Sequence, residues 1–352
     1  MDLMPYFKLM VEKSASDLFI TVGSPIKIKI EGKANPVGKT VLDSALAKAA
    51  AFGIMNEHQI AHFEDTMECD FAIAMPDGSA RFRVNVFRQR GEVSMVLRRI
   101  PNKIPTTIEL GVPDILNELI NHKRGLILMV GATGSGKSTT LAAMIDHRNE
   151  TMSGHILTIE DPVEFSHPNK KSIINQREVG VDTLSYRNAL KASMREAPDV
   201  ILIGEIRERE TMEAALELSN TGHLAISTLH ANNANQAMER VINMFPQDLH
   251  KQLFMDLSLN LRAVVSQRLV LGVDGKRCAA IEILINTPHI AELILKGDID
   301  MIKEAMEGSG QKGMQTFDTA LYNLYKEGRV TLEEALSNAD SRTNLEAKIN
   351  FG

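Results

Sequence analysis

Tryptophan is absent from this 352-residue chain, cysteine occurs twice and tyrosine four times. Cys69 and Cys278 lie far apart without neighbouring ligand residues, which excludes a disulfide scaffold or a zinc site built on them. No apolar run reaches the roughly 18 residues that a membrane-spanning helix needs. Positive charge is also in short supply: Lys+Arg 39 against Asp+Glu 45 leaves a formal net charge of −6. The basic excess that marks a nucleic-acid-binding domain is therefore missing, and no nucleic-acid partner is expected. The opening MDLMPYFKLMVEK carries an acid at position 2 and no small-residue cleavage site, so it is not a secretory signal. No 20–50-residue repeat and no low-complexity segment is visible. These absences together describe a cytoplasmic protein.

What is present is ordinary globular material, 44% hydrophobic and 24% charged. The length suggests about two domains, each able to bury a core. Charge is uneven between them. Residues 1–110 hold 14 Lys+Arg and 13 Asp+Glu, net +1, leaving 25 and 32, net −7, for the remainder. Within the first part, RFRVNVFRQRGEVSMVLRRIP places six arginines between 81 and 99 against the single acid Glu92. Such a cluster suits a local phosphate site, and planar guanidinium favours bidentate contact. Exposed arginines on an amphipathic strand are the plainer alternative.

Residues 1–100 alternate short strands and helices. FITVGSPIKIKIEG reads as a hairpin on its Gly-Ser-Pro turn, and CDFAIAMPDGSARFRVNVFRQ as another on Pro76-Asp77-Gly78. Between them LDSALAKAAAFGIMNEHQIAHFED has helical spacing. His58 and His62 share a helix face at metal spacing, but without a third ligand they read as solvated. Pro101, Pro105 and Pro113 punctuate a linker over 101–112, where Thr106 and Glu109 have capping-box spacing. From 113 to 290 the runs GLILMVGA, HILTIED, DVILIGEI and HLAISTLH alternate with helical segments, the pattern of a parallel sheet covered on both faces. SQRLVLGVDGKRCAAIEIL adds a hairpin on Asp274-Gly275. Residues 291–352 read as helical, with Thr331 and Glu334 spaced as a second capping box.

GATGSGKST carries the strongest chemistry. Gly131, Gly136, Lys137 and Ser138 fit G-x-x-x-x-G-K-[ST] directly between an apolar strand and a helix. Glycines let backbone N–H groups converge on phosphate oxygens, and the helix start adds its positive dipole end. Gly131, Thr133, Gly134, Ser135, Gly136, Lys137, Ser138 and Thr139 therefore bind a nucleoside triphosphate. Lys137, expected on an exposed loop, reaches the β- and γ-phosphates, and the Ser138 hydroxyl takes Mg²⁺. DVILIGEIRE ends a strand in Glu205, where a second acid belongs. TIEDPVEF puts Glu160, Asp161 and Glu164 at another strand end, where carboxylates polarise water or hold hydrated Mg²⁺. NTGHLAISTLH sets His223 and His230 at opposite ends of one strand, and both are read as γ-phosphate sensors.

In this order the motifs resemble the secretion ATPase superfamily, specifically the type IV pilus retraction ATPases of the PilT/PilU family, over nearly the whole chain. SDLFITVGSP is similar to the family's N-terminal opening and ARFRVNVF to its arginine-bearing strand. GATGSGKST matches the Walker A motif, TIEDPVEF the Asp box, LIGEIRE the Walker B motif and TGHLAISTLH the His box. The resemblance implies a RecA-like P-loop ATPase core behind an N-terminal PAS-like α+β domain, with C-terminal helices. It implies Glu164 as the catalytic glutamate, Glu205 on the Mg²⁺ side with Ser138 and Glu160, and His230 as catalytic. Arg81, Arg83, Arg98 and Arg99 are expected to face ATP or ADP, Arg81 and Arg98 as fingers across a subunit boundary. A homohexamer is implied, acting on an inner-membrane pilus platform protein beside a PilT-type sister ATPase, with membrane contact only through partners at the cytoplasmic face of the inner membrane. His289-Ile290-Ala291 stands where PilT-type relatives carry Ala-Ile-Arg, and ANNANQAMERVINMFP leans to the PilU side. A type II secretion or pilus-assembly ATPase stays as an alternative, though such relatives carry a tetracysteine element; a scaffold ring modulating a sister ATPase is another.

Overall fold

The computed structural model describes residues 1–30, 32–100 and 103–351. Pro101, expected at the start of the linker, lies outside the described residues. The chain divides into two compact units, Met1–Lys103 with Glu164–Ser166, and the remainder from Ile104 onward.

The first unit is a six-stranded antiparallel sheet of β1 (Asp17–Ile20), β2 (Pro25–Ile30), β3 (Lys33–Val41), β4 (Glu68–Ala74), β5 (Arg81–Gln89) and β6 (Glu92–Ile100). Their order is β3-β2-β1-β6-β5-β4. Period-two alternation explains which face is covered. Leu18, Ile20, Ile28, Phe82, Val84, Val86, Met95 and Leu97 are buried against Phe7, Met10, Ala50, Ala51 and Phe63 of the helices Met4–Glu12, Ser44–Phe52 and Glu57–Thr66. Both expected hairpins are present, one turning through Gly78 at φ 70°. The helix Glu57–Thr66 starts at a capping box of Asn56 and Gln59.

The second unit is built on β7 (Gly125–Val130), β8 (Gly154–Glu160), β9 (Ser172–Glu178), β10 (Val200–Glu205), β11 (Leu224–Leu229), β12 (Leu261–Leu271) and β13 (Arg277–Ile285). The order is β13-β12-β7-β11-β10-β8-β9, parallel throughout except for β13 at one edge. Every residue of β7 is buried. Leu126, Leu128 and Val130 face one core with Ile201, Ile203, Ala225 and Leu229; Ile127 and Met129 face the other with Val200, Leu202, Leu224 and Ile226. Helices cover both faces, as continuous apolar runs require. Each such side chain contributes about 1.5–3 kcal/mol on burial, so this sheet is a rigid platform for the loops at its carboxyl ends.

The short helix Thr107–Leu110 begins at the expected capping box, in which Thr106 accepts from the Glu109 backbone N–H and Glu109 accepts from that of Thr106. At the other box only half forms. Thr331 caps the helix Leu332–Ser337, but Glu334 turns away and accepts from the Leu271 backbone N–H at 2.8 Å. Packing on β12 outcompetes the local contact. Among the described residues no helix is long and apolar enough to cross a membrane.

Candidate functional site

The loop after β7 is shaped by two glycines that no other residue could replace without movement. Gly131 (φ 154°) and Gly136 (φ 87°) lie against β12: a Cβ on the first would meet Ser135 Oγ at 2.5 Å and Gln267 O at 2.6 Å, and one on the second Gln267 Nε2 at 2.7 Å. Gly136 also leads into the helix Lys137–Thr151, whose start no side chain caps. Its first N–H groups are left to an external acceptor. Ser135 Oγ is buried there with no hydrogen-bond partner. Together the glycine cradle, the uncapped helix start and the unpartnered hydroxyl fit a phosphate group.

Lys137 is buried, not exposed as a loop lysine is expected to be. Its Nζ donates to the carbonyls of Gly131 at 2.6 Å and Ala132 at 2.9 Å. Burial pulls the ammonium below its ordinary pKa, while the Glu205 carboxylate acts to raise it. Thr140, one turn on, donates to Gln267 Oε1 at 2.8 Å and ties the helix to β12. The neighbouring Arg268 faces elsewhere: its guanidinium donates to Asn338 O at 2.8 Å, pairs with Asp340 and lies over the Phe317 ring at 3.9 Å.

Glu205 closes β10 with only 15% of its side chain exposed. Arg207 Nε donates to its Oε2 at 2.8 Å, and His230 Nε2 lies 3.2 Å from its Oε1. Lys137, Glu205 and His230 are thus brought together at one end of the sheet. Arg207 was missed in the sequence, although GEIRE places it two residues beyond the acid. Glu160 ends β8, where its Oε1 accepts from Thr158 Oγ1 at 2.7 Å and from Gln176 Nε2 at 3.4 Å. Gly204 is bare because the hydroxyl of Tyr186 occupies its side-chain space, 2.6 Å from where a Cβ would sit. Ser138 is exposed in the first helical turn, and Thr133 and Gly134 are exposed in the loop. Among the described residues no group of three or more His, Cys, Asp or Glu is placed to hold a metal ion.

His223 does not join them. It precedes β11, whereas the phosphate loop follows the parallel β7, and its backbone carbonyl accepts from the Gly125 N–H at 3.0 Å, the far end of that strand. Six strand residues put it roughly 20 Å from the loop. Its Nδ1 lies 3.2 Å from Leu218 O and 3.2 Å from Thr221 Oγ1, a helix-to-strand joint. The phosphate-sensing expectation is corrected: strand direction separates two histidines that the sequence sets only seven residues apart.

Glu164 is exposed and groups with the first unit. The arginines belong to that unit too, and they do not share one face. Register pairs Arg83 with Arg98 but Phe82 with Arg99, so Arg99 lies on the opposite face from Arg83 and Arg98. Arg81 lies on the Arg83 face by alternation. Across this face one cross-strand row runs Lys29, Asp17, Arg98, Arg83. The Asp17 side chain is 5% exposed, accepts from Arg98 Nε at 2.9 Å and from Ser16 Oγ at 2.8 Å, and has Lys29 Nζ at 4.0 Å. Arg98 therefore has a structural duty that the sequence did not reveal. Arg98→Ala should lower stability by about 1–2 kcal/mol, because a buried carboxylate loses a charged donor; Arg98→Lys should recover part of it. Equal denaturation midpoints for Arg98→Ala and the native chain would contradict this pairing.

The family described as type II/IV secretion system protein matches residues 2–347. The chain is 53% identical over 353 residues to the type IV pilus ATPase PilU of Pseudomonas aeruginosa, spanning 100% of this chain and 92% of that one. It is 41% identical over 345 residues to the type IV pilus retraction ATPase PilT of the same organism, spanning 98% and 100%. Among solved structures, the pilus retraction motor PilT with bound ADP superposes with a TM-score of 0.92 at 41% identity, covering 98% of this chain and 99% of that one. The ATPase DotB of Legionella pneumophila gives 0.81 at 26%, covering 94% of each.

Proposed function

The chain belongs to the type II/IV secretion system protein family, and from that premise we propose that it is a motor ATPase that drives type IV pilus retraction. One observation carries the reading. A phosphate loop with its buried lysine in electrostatic reach of Glu205, and His230 beside that acid, stands in a chain similar over its full length to PilU.

In this reading Lys137 exchanges the carbonyls of Gly131 and Ala132 for phosphate oxygens, and the N–H groups of the following turn hold the same anion. Ser138 and Glu205, with Glu160, would hold Mg²⁺, whose chemistry is to neutralise phosphate charge. Glu164 orients the attacking water as general base. His230, 3.2 Å from Glu205, reports the state of that acid to the helix that follows it. Arg81 and Arg83, which share a face with Arg98, would meet the nucleotide of a neighbouring copy, and Arg98 also holds Asp17. The working form is a homohexamer at the cytoplasmic face of the inner membrane, acting on a platform protein beside a PilT-type sister ATPase.

Deleting the gene and imaging pilus retraction in cells, alone and beside deletion of the sister ATPase, tests the proposal. Retraction frequency or force should fall. Unchanged retraction in both backgrounds would overturn it.

A further inference from the structure

Asn149 lies in the last turn of the helix Lys137–Thr151 and is wholly buried. Both ends of its side-chain amide serve one short stretch of chain. Nδ2 donates to the Pro168 carbonyl at 2.7 Å, and Oδ1 accepts from the Lys170 N–H at 3.1 Å. Its backbone carbonyl accepts from the Lys171 N–H at 2.9 Å. A helix that starts at the phosphate loop thus ends by gripping the segment that returns from Glu164.

That segment leaves the end of β8 and comes back to start β9 at Ser172. Strand β9 holds it at two further points. Glu178 Oε2 accepts from the Val163 N–H at 3.2 Å, and Gln176 Oε1 from the His167 N–H at 2.8 Å. Register places Glu178 opposite Glu160 and Gln176 opposite Thr158, so both anchors lie near the carboxyl end of these parallel strands. The phosphate loop follows β7 at that same end of the sheet. Val163 and His167 are therefore fixed, and only Glu164, Phe165 and Ser166 lie between them. The His167 side chain is itself 4% exposed. Gln176 has a second duty, since its Nε2 donates to Glu160 Oε1 at 3.4 Å. A buried amide is a costly way to fill space, because each of its polar atoms must find a partner. Here the partners of Asn149 are backbone groups of the Glu164 segment alone.

We propose that Asn149 and Gln176 are positioning residues for ATP hydrolysis. By binding the backbone at His167, Pro168 and Lys170, they fix the span on which Glu164 is presented to the attacking water. Neither amide takes part in proton transfer; both act through Glu164. This rests on the nucleotide-site reading above, with Glu164 as general base.

Asn149→Ala should lower kcat for ATP about ten- to a hundredfold, the scale of displacing a reacting group by about 1 Å. KM for ATP, and the affinity for a fluorescent ADP analogue, should stay within about twofold. Asn149 stands roughly 18 Å along the helix from Lys137, too far to disturb the phosphate cradle directly. The decisive readout is the pairing with Glu164→Gln. If Asn149 works only through that carboxylate, its removal from the Glu164→Gln chain should cost no more than about twofold. A role in general stability would multiply the two losses instead. Circular dichroism checks folding. Should Asn149→Ala not fold, Gln176→Ala, at a half-buried position, carries the same test at saturating Mg²⁺. A normal kcat in the folded variant overturns the inference. So does a matching loss of ADP affinity, the mark of general damage, and so do multiplied losses in the pair. Lys137→Ala and Glu164→Gln, assayed alone, separate the claims. Native hydrolysis by Lys137→Ala would mean that the nucleotide-site reading itself fails. Native turnover in Glu164→Gln would remove the general base, and the positioning role with it. If both are inactive while Asn149→Ala is normal, only the positioning role falls.

Discussion

Purified Lys137→Ala is expected to lose ATP hydrolysis by at least about a hundredfold, the scale of removing a preorganised charge from a developing phosphate charge. The geometry makes the effect specific. Nζ already lies 2.6 Å and 2.9 Å from the Gly131 and Ala132 carbonyls, so it needs only a short swing to reach phosphate oxygens at the same loop. Stability should change by no more than about 1 kcal/mol. Two hydrogen bonds disappear, but so does the cost of holding an ammonium out of water. Steady-state hydrolysis and a denaturation curve on the same sample check both statements. Full activity in Lys137→Ala would sink the reading of the whole nucleotide site.

The second large effect separates two acids. Glu164→Gln should retain nucleotide and lower turnover by about 10²–10⁴, because the amide keeps the shape but cannot take a proton from water. Glu205→Gln should also lower turnover, for another reason. Its carboxylate is held on one oxygen by Arg207 at 2.8 Å and approached on the other by His230 at 3.2 Å. The amide keeps one acceptor oxygen but sets an NH₂ donor in place of the other, so only one of the two contacts survives and the negative charge is lost. Its defect should ease as Mg²⁺ is raised, whereas that of Glu164→Gln should not. Titrating Mg²⁺ against turnover in both variants decides the matter. If Glu205→Gln blocks turnover and Glu164→Gln leaves it normal, the two roles are reversed.

Much of the architecture was readable in advance, because the signals are local. GLILMVGA and DVILIGEI are apolar without interruption, which only a sheet covered on both faces accommodates, and the glycine-lysine loop declares its own geometry. The elements that escaped notice have weak periodicity. The strand Lys33–Val41 is almost wholly exposed, so no buried face marks its sequence, and Ser172–Glu178 at the sheet's edge is polar apart from Ile173 and Ile174. The site was legible in residue types and much less so in their placement. His223 and His230, set at opposite ends of one strand by the sequence, look equivalent until the parallel pairing of β11 with β7 shows which end carries the phosphate loop. Arg98 and Arg99 look like one patch until register turns them to opposite faces. Asp17, which holds Arg98, stands 81 residues away in the chain, and nothing local announces the pairing.

The neighbours Gln267 and Arg268 on β12 deserve a last consideration. Gln267 walls the phosphate loop, while Arg268, projecting to the opposite face, grips the segment around Asp340. Strand alternation assigns these duties by odd and even position. Loss or gain of one residue upstream in β12 would exchange them, setting a long cation against the loop glycines and an amide against a carboxylate. Two residues could be added or removed together and the assignment would survive. The irregularity at Leu261–Ala263, where β12 runs one residue longer than β7, is the place where such a change could be absorbed without exchanging the two.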